Sequence, residues 1–221
     1  MEIPKHGLAI YTFGNVSAAD RDRGVFAIKP SGVAYETLTA DDMVVVDFDG
    51  KVVEGHLHPS SDTPTHAVLY REFAEIGGVV HTHSTYATAW AQAMSPIPIF
   101  GTTHADHLAQ AIPCTAIMAD DMIEGDYELE TGNQIVQAFS NKSPAEIEMV
   151  LVACHGPFTW GPTPEKAVYN SVVLEELAKM AFLTRMINPA TPELKTTLIR
   201  KHYERKHGTN AYYGQATRNR K

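Results

Sequence analysis

Eleven histidines occur in this chain of 221 residues, and their spacing says more than their number. His81-Thr82-His83 follows Val79-Val80, an apolar, β-branched approach that predicts a buried strand. In a strand, residues i and i+2 project from one face, so both imidazoles point to one place with Cα atoms ~6.6 Å apart. Two rings at that span can close around one zinc ion, whereas on a helix they would diverge. His155 ends the apolar run Met149–Cys154, is followed by Gly156-Pro157, and is a candidate third ligand. Three histidines with an open position describe a catalytic zinc site. Taken alone, His155 reads as an ordinary hydrogen-bonded residue. Cys154 would face away from it in a strand and is set aside.

Smaller polar clusters carry weaker signals. Ser60-Ser61-Asp62 precedes Thr63-Pro64. An ordinary N-cap cluster accounts for it, but two hydroxyls and free N–H groups at the positive end of a helix also suit phosphate. Gly14-Asn15 and Lys29-Pro30-Ser31-Gly32 carry the same double reading. None of them matches a nucleotide-binding pattern. His104-Ala105-Asp106-His107 adds titratable groups beside Gly101-Thr102-Thr103, with Asp106 alone reading as a solvated carboxylate. Near the C-terminus, Tyr212 reads as a docking anchor in Tyr212-Tyr213-Gly214. A tyrosine that gives up its proton needs cations or a metal beside it, because its free pKa is ~10.

The elements that must position these groups alternate in type. Strands are expected at Val25–Ile28, Met43–Phe48, Lys51–Glu54, Val79–His83, Ile97–Phe100, Met149–Cys154 and Pro157–Trp160. Asp49-Gly50 predicts a two-residue type I′ hairpin turn. Helices are expected from Thr63 to Ile76, stopped by Gly77-Gly78, and over Thr85–Met94, Pro164–Ile187 and Pro192–Lys206. Interleaved helices and strands with at least one hairpin make an α/β chain with a mixed sheet.

Composition excludes several function classes. The formal charge of −8 argues against non-specific nucleic-acid binding, although eight of the eighteen basic residues fall between Lys195 and Lys221. No apolar run approaches the ~20 residues of a membrane span, and no signal-peptide h-region follows Met1. Two cysteines, Cys114 and Cys154, make no disulfide framework, so a reduced, cytoplasmic protein is expected.

In order, Gly14–Ser17, Ile28–Val33, Pro59–His66, His81–Ser84 and Gly101–Asp106 resemble the class II aldolase/epimerase family. Lys201–Tyr203, Arg205–Gly208 and Ala211–Gln215 are similar to its epimerase branch, so the resemblance runs the length of the chain. It implies one three-layer α/β/α domain over residues 1–221 with a predominantly antiparallel sheet, ending in a basic helix and tail (about 192–221). It implies Zn2+, one per subunit, on His81, His83 and His155, with Asp62 as a further ligand or close neighbour. Gly14, Asn15, Lys29, Ser31, Gly32, Ser60 and Ser61 would hold the substrate, chiefly its phosphate. Asp106 and Tyr213 would be the acid/base pair, supported by His202. Members form fourfold rings with the site between neighbours, so a homotetramer is implied, with Tyr213 serving the adjacent subunit. Relatives usually carry about one more helix ahead of Pro4.

Family aldolases use glutamate at position 62; the shorter aspartate here favours an epimerase. The reaction implied interconverts L-ribulose 5-phosphate and D-xylulose 5-phosphate by retro-aldol cleavage and re-addition at C3–C4. A sugar-phosphate aldolase or dehydratase is the near alternative. A non-catalytic zinc-binding assembly protein is the distant one, and it requires a fourth protein ligand closing the metal site.

Overall fold

The computed structural model describes residues 2–209, 211 and 212. Seven strands form one sheet in the order β4-β3-β2-β1-β5-β7-β6, and every neighbouring pair is antiparallel. They are β1 Asn15–Asp20, β2 Val25–Ile28, β3 Val44–Asp47, β4 Val52–Glu54, β5 Gly78–His81, β6 Met149–Val152 and β7 Gly156–Gly161. The helices are α1 Glu2–Lys5, α2 Thr63–Glu72, α3 Thr85–Gln92, α4 Thr102–Ala105, α5 Asp120–Glu124, α6 Tyr127–Ala138, α7 Pro164–Ile187 and α8 Thr196–His207.

The period of two along β7 shows how the layers form. Phe158 and Trp160 point to one face, where Phe158 meets His66 of α2 and Trp160 packs against Phe73 and Phe139. Thr159 points to the other, donating to the Ala167 carbonyl of α7 and pairing with Ser171 Oγ. Helices therefore cover both faces of an antiparallel sheet, the three-layer arrangement expected. Burying Trp160 still satisfies its indole N–H, which donates to the Pro144 carbonyl at 2.7 Å.

Several boundaries differ from the sequence reading, each for a visible reason. The β3–β4 turn has three residues: Asp47 pairs across to Lys51, and Gly50 sits at φ 84°. That is a type I turn closed by a left-handed glycine, with Asp47 Oδ1 accepting from the N–H groups of Asp49 and Lys51. Helix α2 ends at Glu72 rather than Ile76, and Arg21 takes the freed carbonyls of Tyr70, Phe73 and Ile76. Gly77 and Gly78 do not stop that helix. They let β5 pass the start of α7, where a Cβ on Gly78 would lie 2.4 Å from Pro164 Cα.

Ile97–Phe100 contributes only the bridge Ile97↔Ile112, and α8 starts at Thr196 rather than Pro192. Strand β1 and helix α6 have no counterpart in the sequence reading. The inward residues of β1 are Asn15 and Ser17, polar side chains that hide its alternation.

Helix α6 lies against α2 through Gly132, where an added Cβ would stand 2.7 Å from Val68 Cβ. Gly132→Ala should cost about 1–3 kcal/mol by overpacking, read as a lower urea midpoint. Equal midpoints for wild type and Gly132→Ala would contradict this contact.

Candidate metal centre and anion-binding cavity

Strand β5 ends at His81, which lies opposite Asn15 in β1 and Phe158 in β7. The ladder can start there because residue 14 is glycine: its φ is 74°, and a Cβ would stand 2.8 Å from the His81 carbonyl oxygen. His83 lies two residues on, past the strand end, not within it as the sequence reading had it. His155 sits in the β6–β7 turn, which Cys154 closes at a left-handed φ of 63°. Gly156 completes the fit, since a Cβ there would reach to 2.9 Å from the Thr82 carbonyl.

The three histidines converge, with one donor atom from each lying within 4.8 Å of the others. His81 Nε2 and His83 Nε2 are 3.0 Å apart. His81 Nδ1 must donate to the Pro157 carbonyl at 3.0 Å, so its Nε2 presents a lone pair to the cluster. Burial holds the His81 imidazole well below its usual 6.5, and the neighbouring His155 and His83 push the same way. Burial lowers His83 and His155 too, against the opposing pull of the Asp62 carboxylate. Three neutral imidazoles with converging ring nitrogens are a donor set that suits a divalent cation.

Asp62 stands at the N-cap of α2 but makes no capping hydrogen bond. Its carboxylate turns to Asn15, whose Nδ2 donates at 2.6 Å to Asp62 Oδ2 and at 3.0 Å to Ser60 Oγ. The helix start is held instead by Ser60, whose carbonyl accepts from Thr63 N–H and Thr63 Oγ1. An N-cap cluster is therefore not what these residues form.

A cavity of about 560 Å³ opens from the histidines and contains every expected anion-binding residue: Gly14, Asn15, Lys29, Ser31, Gly32, Ser60 and Ser61. Two loops build its far wall, joined by the bridge Pro30↔Pro59 and the hydrogen bonds Ser31 N–H to His58 O and Ser60 N–H to Lys29 O. Lys29 is only 3% exposed. Its ammonium donates to the carbonyls of Pro30 (3.2 Å) and Thr12 (3.5 Å), and no described carboxylate pairs with it. Burial lowers its pKa. A buried cation whose hydrogen bonds go to carbonyl dipoles, at the wall of an open cavity, suits an anionic ligand.

Asp106 and His202 are not among the residues lining this cavity. Asp106 closes α4 and receives α8: Arg205 is bidentate on its carboxylate at 3.0 and 2.7 Å, and His202 Nδ1 lies 2.9 Å away. Burial alone would raise the Asp106 carboxyl, but the Arg205 and His202 hydrogen bonds outweigh it and hold it low. Tyr213 lies outside the described residues. Tyr212 is 66% exposed, with its N–H on the Arg205 carbonyl and its ring 5.7 Å from Lys201 Nζ.

Sequence reasoning missed Tyr127, whose hydroxyl lies 3.2 Å from His155 Nδ1, and Glu128 beside it in the cavity wall. Both open α6, whose buried residues include Thr131, Gly132 and Gln134 as well as Ile135. It also gave no role to His66, one turn after Asp62, which is fully buried. Ser17 Oγ bridges His66 Nδ1 and Tyr70 OH at 2.7 Å each. The i, i+4 spacing from Asp62 was the available signal.

Two outcomes follow from these burials. Burial pushes His66 down to about 3 and His104 to about 4 from 6.5. Below pH 6.5 the unfolded chain binds protons that the fold refuses, so stability falls with acid, by up to ~1.4 kcal/mol per pH unit for each group. Urea midpoints of the metal-free protein should drop between pH 6.5 and 5, and a flat profile would contradict these burials. Separately, His83→Ala should release bound divalent metal to a chelator while far-UV dichroism is kept; stoichiometric retention would refute the ligand set.

The sequence model of the family described as "Class II Aldolase and Adducin N-terminal domain" matches residues 1–182. Two relatives named "L-ribulose-5-phosphate 4-epimerase UlaF" come from Salmonella paratyphi C (strain RKS4594) and Salmonella choleraesuis (strain SC-B67). Each is 55% identical over 215 residues, covering 97% of this chain and 94% of the relative. Among solved structures, an L-fuculose 1-phosphate aldolase superposes with a TM-score of 0.77 at 25% identity, covering 92% of this chain and 90% of its own. By sequence match, length and fold, this chain belongs to the class II aldolase family.

Proposed function

We propose that the chain is a zinc-dependent L-ribulose-5-phosphate 4-epimerase that works as a homotetramer. The observation that carries the reading is one cavity with two ends: three neutral imidazoles at one, a buried ammonium without a carboxylate partner among the described residues at the other. A sugar phosphate has the complementary ends, oxygens for a metal and an anion for Lys29. The 55% identity to epimerases over nearly the full length supports the choice of substrate.

Inverting C4 of a ketopentose phosphate offers no acidic C–H at that carbon. Breaking C3–C4 solves this: a base takes the C4 hydroxyl proton, the bond's electrons move toward the C2 carbonyl, and an aldehyde fragment is freed to turn and be attacked on its other face. A divalent cation on His81, His83 and His155, with Asp62 as ligand or neighbour, supplies a Lewis acid for the charge that develops on the carbonyl side.

The chain's own residues do the rest. Lys29, Ser31, Gly32, Ser60 and Ser61, with the Gly14-Asn15 turn, hold the phosphate so that the three-carbon half stays in place during the rotation. Asn15 keeps Asp62 turned toward the histidines. Asp106 and Tyr213 exchange the proton at the C4 oxygen from opposite faces, with His202 orienting Asp106. Because Asp106 and α8 stand apart from the cavity of their own chain, they serve the cavity of a neighbouring copy.

Incubation with L-ribulose 5-phosphate should yield D-xylulose 5-phosphate, abolished by chelator. Accumulation of dihydroxyacetone phosphate and glycolaldehyde instead would make the chain an aldolase. Asp106→Asn should lower kcat by ~10²–10⁴ with metal content unchanged. Mixed oligomers of Asp106→Asn and His83→Ala chains should regain activity that neither parent has. A mixture as inactive as its parts would place Asp106 and His83 in one chain's site and overturn the shared-site reading.

A further inference from the structure

Tyr35 lies between β2 and β3, only 5% exposed, packed with Ile3, Leu8, Val80 and Ala167. It does not line the cavity, yet it touches two residues that do. Its hydroxyl donates to the Gly14 carbonyl at 3.0 Å, and its ring centroid lies 5.0 Å from Lys29 Nζ. The geometry points to Tyr35 as a positioning residue of the anion site, one side chain that holds both the Lys29 ammonium and the Gly14 turn at a fixed separation. This inference rests on the reading of that end of the cavity as the phosphate site.

The chemistry suits such a clamp. A carbonyl only accepts, so the tyrosine proton must point at Gly14. Burial raises the phenol's pKa, so the donor stays protonated throughout the working range of pH. The ring offers its π-face to an ammonium that has lost most of its water and has only two carbonyl oxygens in return. Gly14 is itself pressed onto the His81 backbone, since any Cβ there would meet the His81 carbonyl at 2.8 Å. Tyr35 thereby ties the anion end of the cavity to the strand end that carries a metal ligand. A tyrosine present only to fill the core would need some partner for its hydroxyl, but not the Gly14 turn, and no ammonium over its ring.

Inorganic phosphate titrated calorimetrically into the metal-loaded protein tests this, with the KM for L-ribulose 5-phosphate as the second readout. Tyr35→Phe keeps the ring over Lys29 and loses the Gly14 hydrogen bond, and should weaken phosphate binding ~3–10-fold. Tyr35→Leu loses both contacts and should weaken it a further ~2–10-fold. In each variant KM should rise by a similar factor while kcat stays within about twofold, because the groups at the reacting carbon are untouched. Lys29→Met is the control for the underlying reading. If phosphate fails to bind the wild type, or binds Lys29→Met as tightly as wild type, the anion-site reading falls. If Lys29→Met loses phosphate while both Tyr35 variants match the wild type in phosphate affinity and KM, Tyr35 is a core residue only and the inference is overturned, whatever the melting temperatures do. Tyr35→Phe removes a single oxygen, so the test stands even where Tyr35→Leu folds poorly.

Discussion

Three imidazoles crowd within 4.8 Å with least strain when each is neutral, keeping one N–H and no charge. Two charged rings at that distance would repel by several kcal/mol in a poorly hydrated pocket. Burial removes the charge before repulsion arises, and the carbonyl of Pro157 then orients the innermost ring. With Nδ1 donating to that carbonyl, His81 Nε2 accepts from His83 Nε2 at 3.0 Å, a proton that a bound cation would displace. The sheet must therefore hold His81 at its middle strands. Its neighbours in the ladder, β1 and β7, bring Asn15 and Phe158 alongside, and Phe158 stacks on His81 at 4.2 Å between ring centroids.

Glycine makes that crowding sterically possible. Gly14 lets β1 begin against the His81 carbonyl, and Gly156 lets the β6–β7 turn swing His155 over the same place. Neither is a generic turn residue: at each, a methyl group would strike backbone, which has nowhere to move. The Lys29 end of the cavity relies on different means, with two loops stitched by backbone hydrogen bonds around a desolvated ammonium. The histidine end and the Lys29 end of the cavity are thus built by separate devices and meet at Asn15 and Gly14.

Much of this was legible in the sequence, and unevenly so. The His81/His83 pair was readable because Val79-Val80 forces a buried strand, although His83 lies beyond its end. Helix α7 was read to the residue because Thr163-Pro164 starts it and a long apolar pattern sustains it. Strand β1 was hidden by the groups that make it useful: Asn15 and Ser17 face inward to serve Asp62 and His66, and a polar inward face breaks the alternation on which strand reading depends. Tyr127 escaped because its helix buries threonine, glycine and glutamine beside a single isoleucine. Asp62 was ambiguous from sequence, since a cap and a cavity carboxylate share one residue type. Only the direction of its side chain separates the two. The acid/base role implied for Asp106 rests on family resemblance alone, because no local pattern marks it as more than a solvated carboxylate.

The docking of α8 has a consequence of its own. None of its residues is fully buried, and it reaches the body of the protein through guanidinium, imidazole and ammonium groups gathered on a single carboxylate. Attraction of that kind weakens as mobile ions accumulate, whereas the tryptophan-centred core is indifferent to them. The segment that precedes Tyr213 is therefore moored by a tether sensitive to ionic strength, on a scaffold that is not.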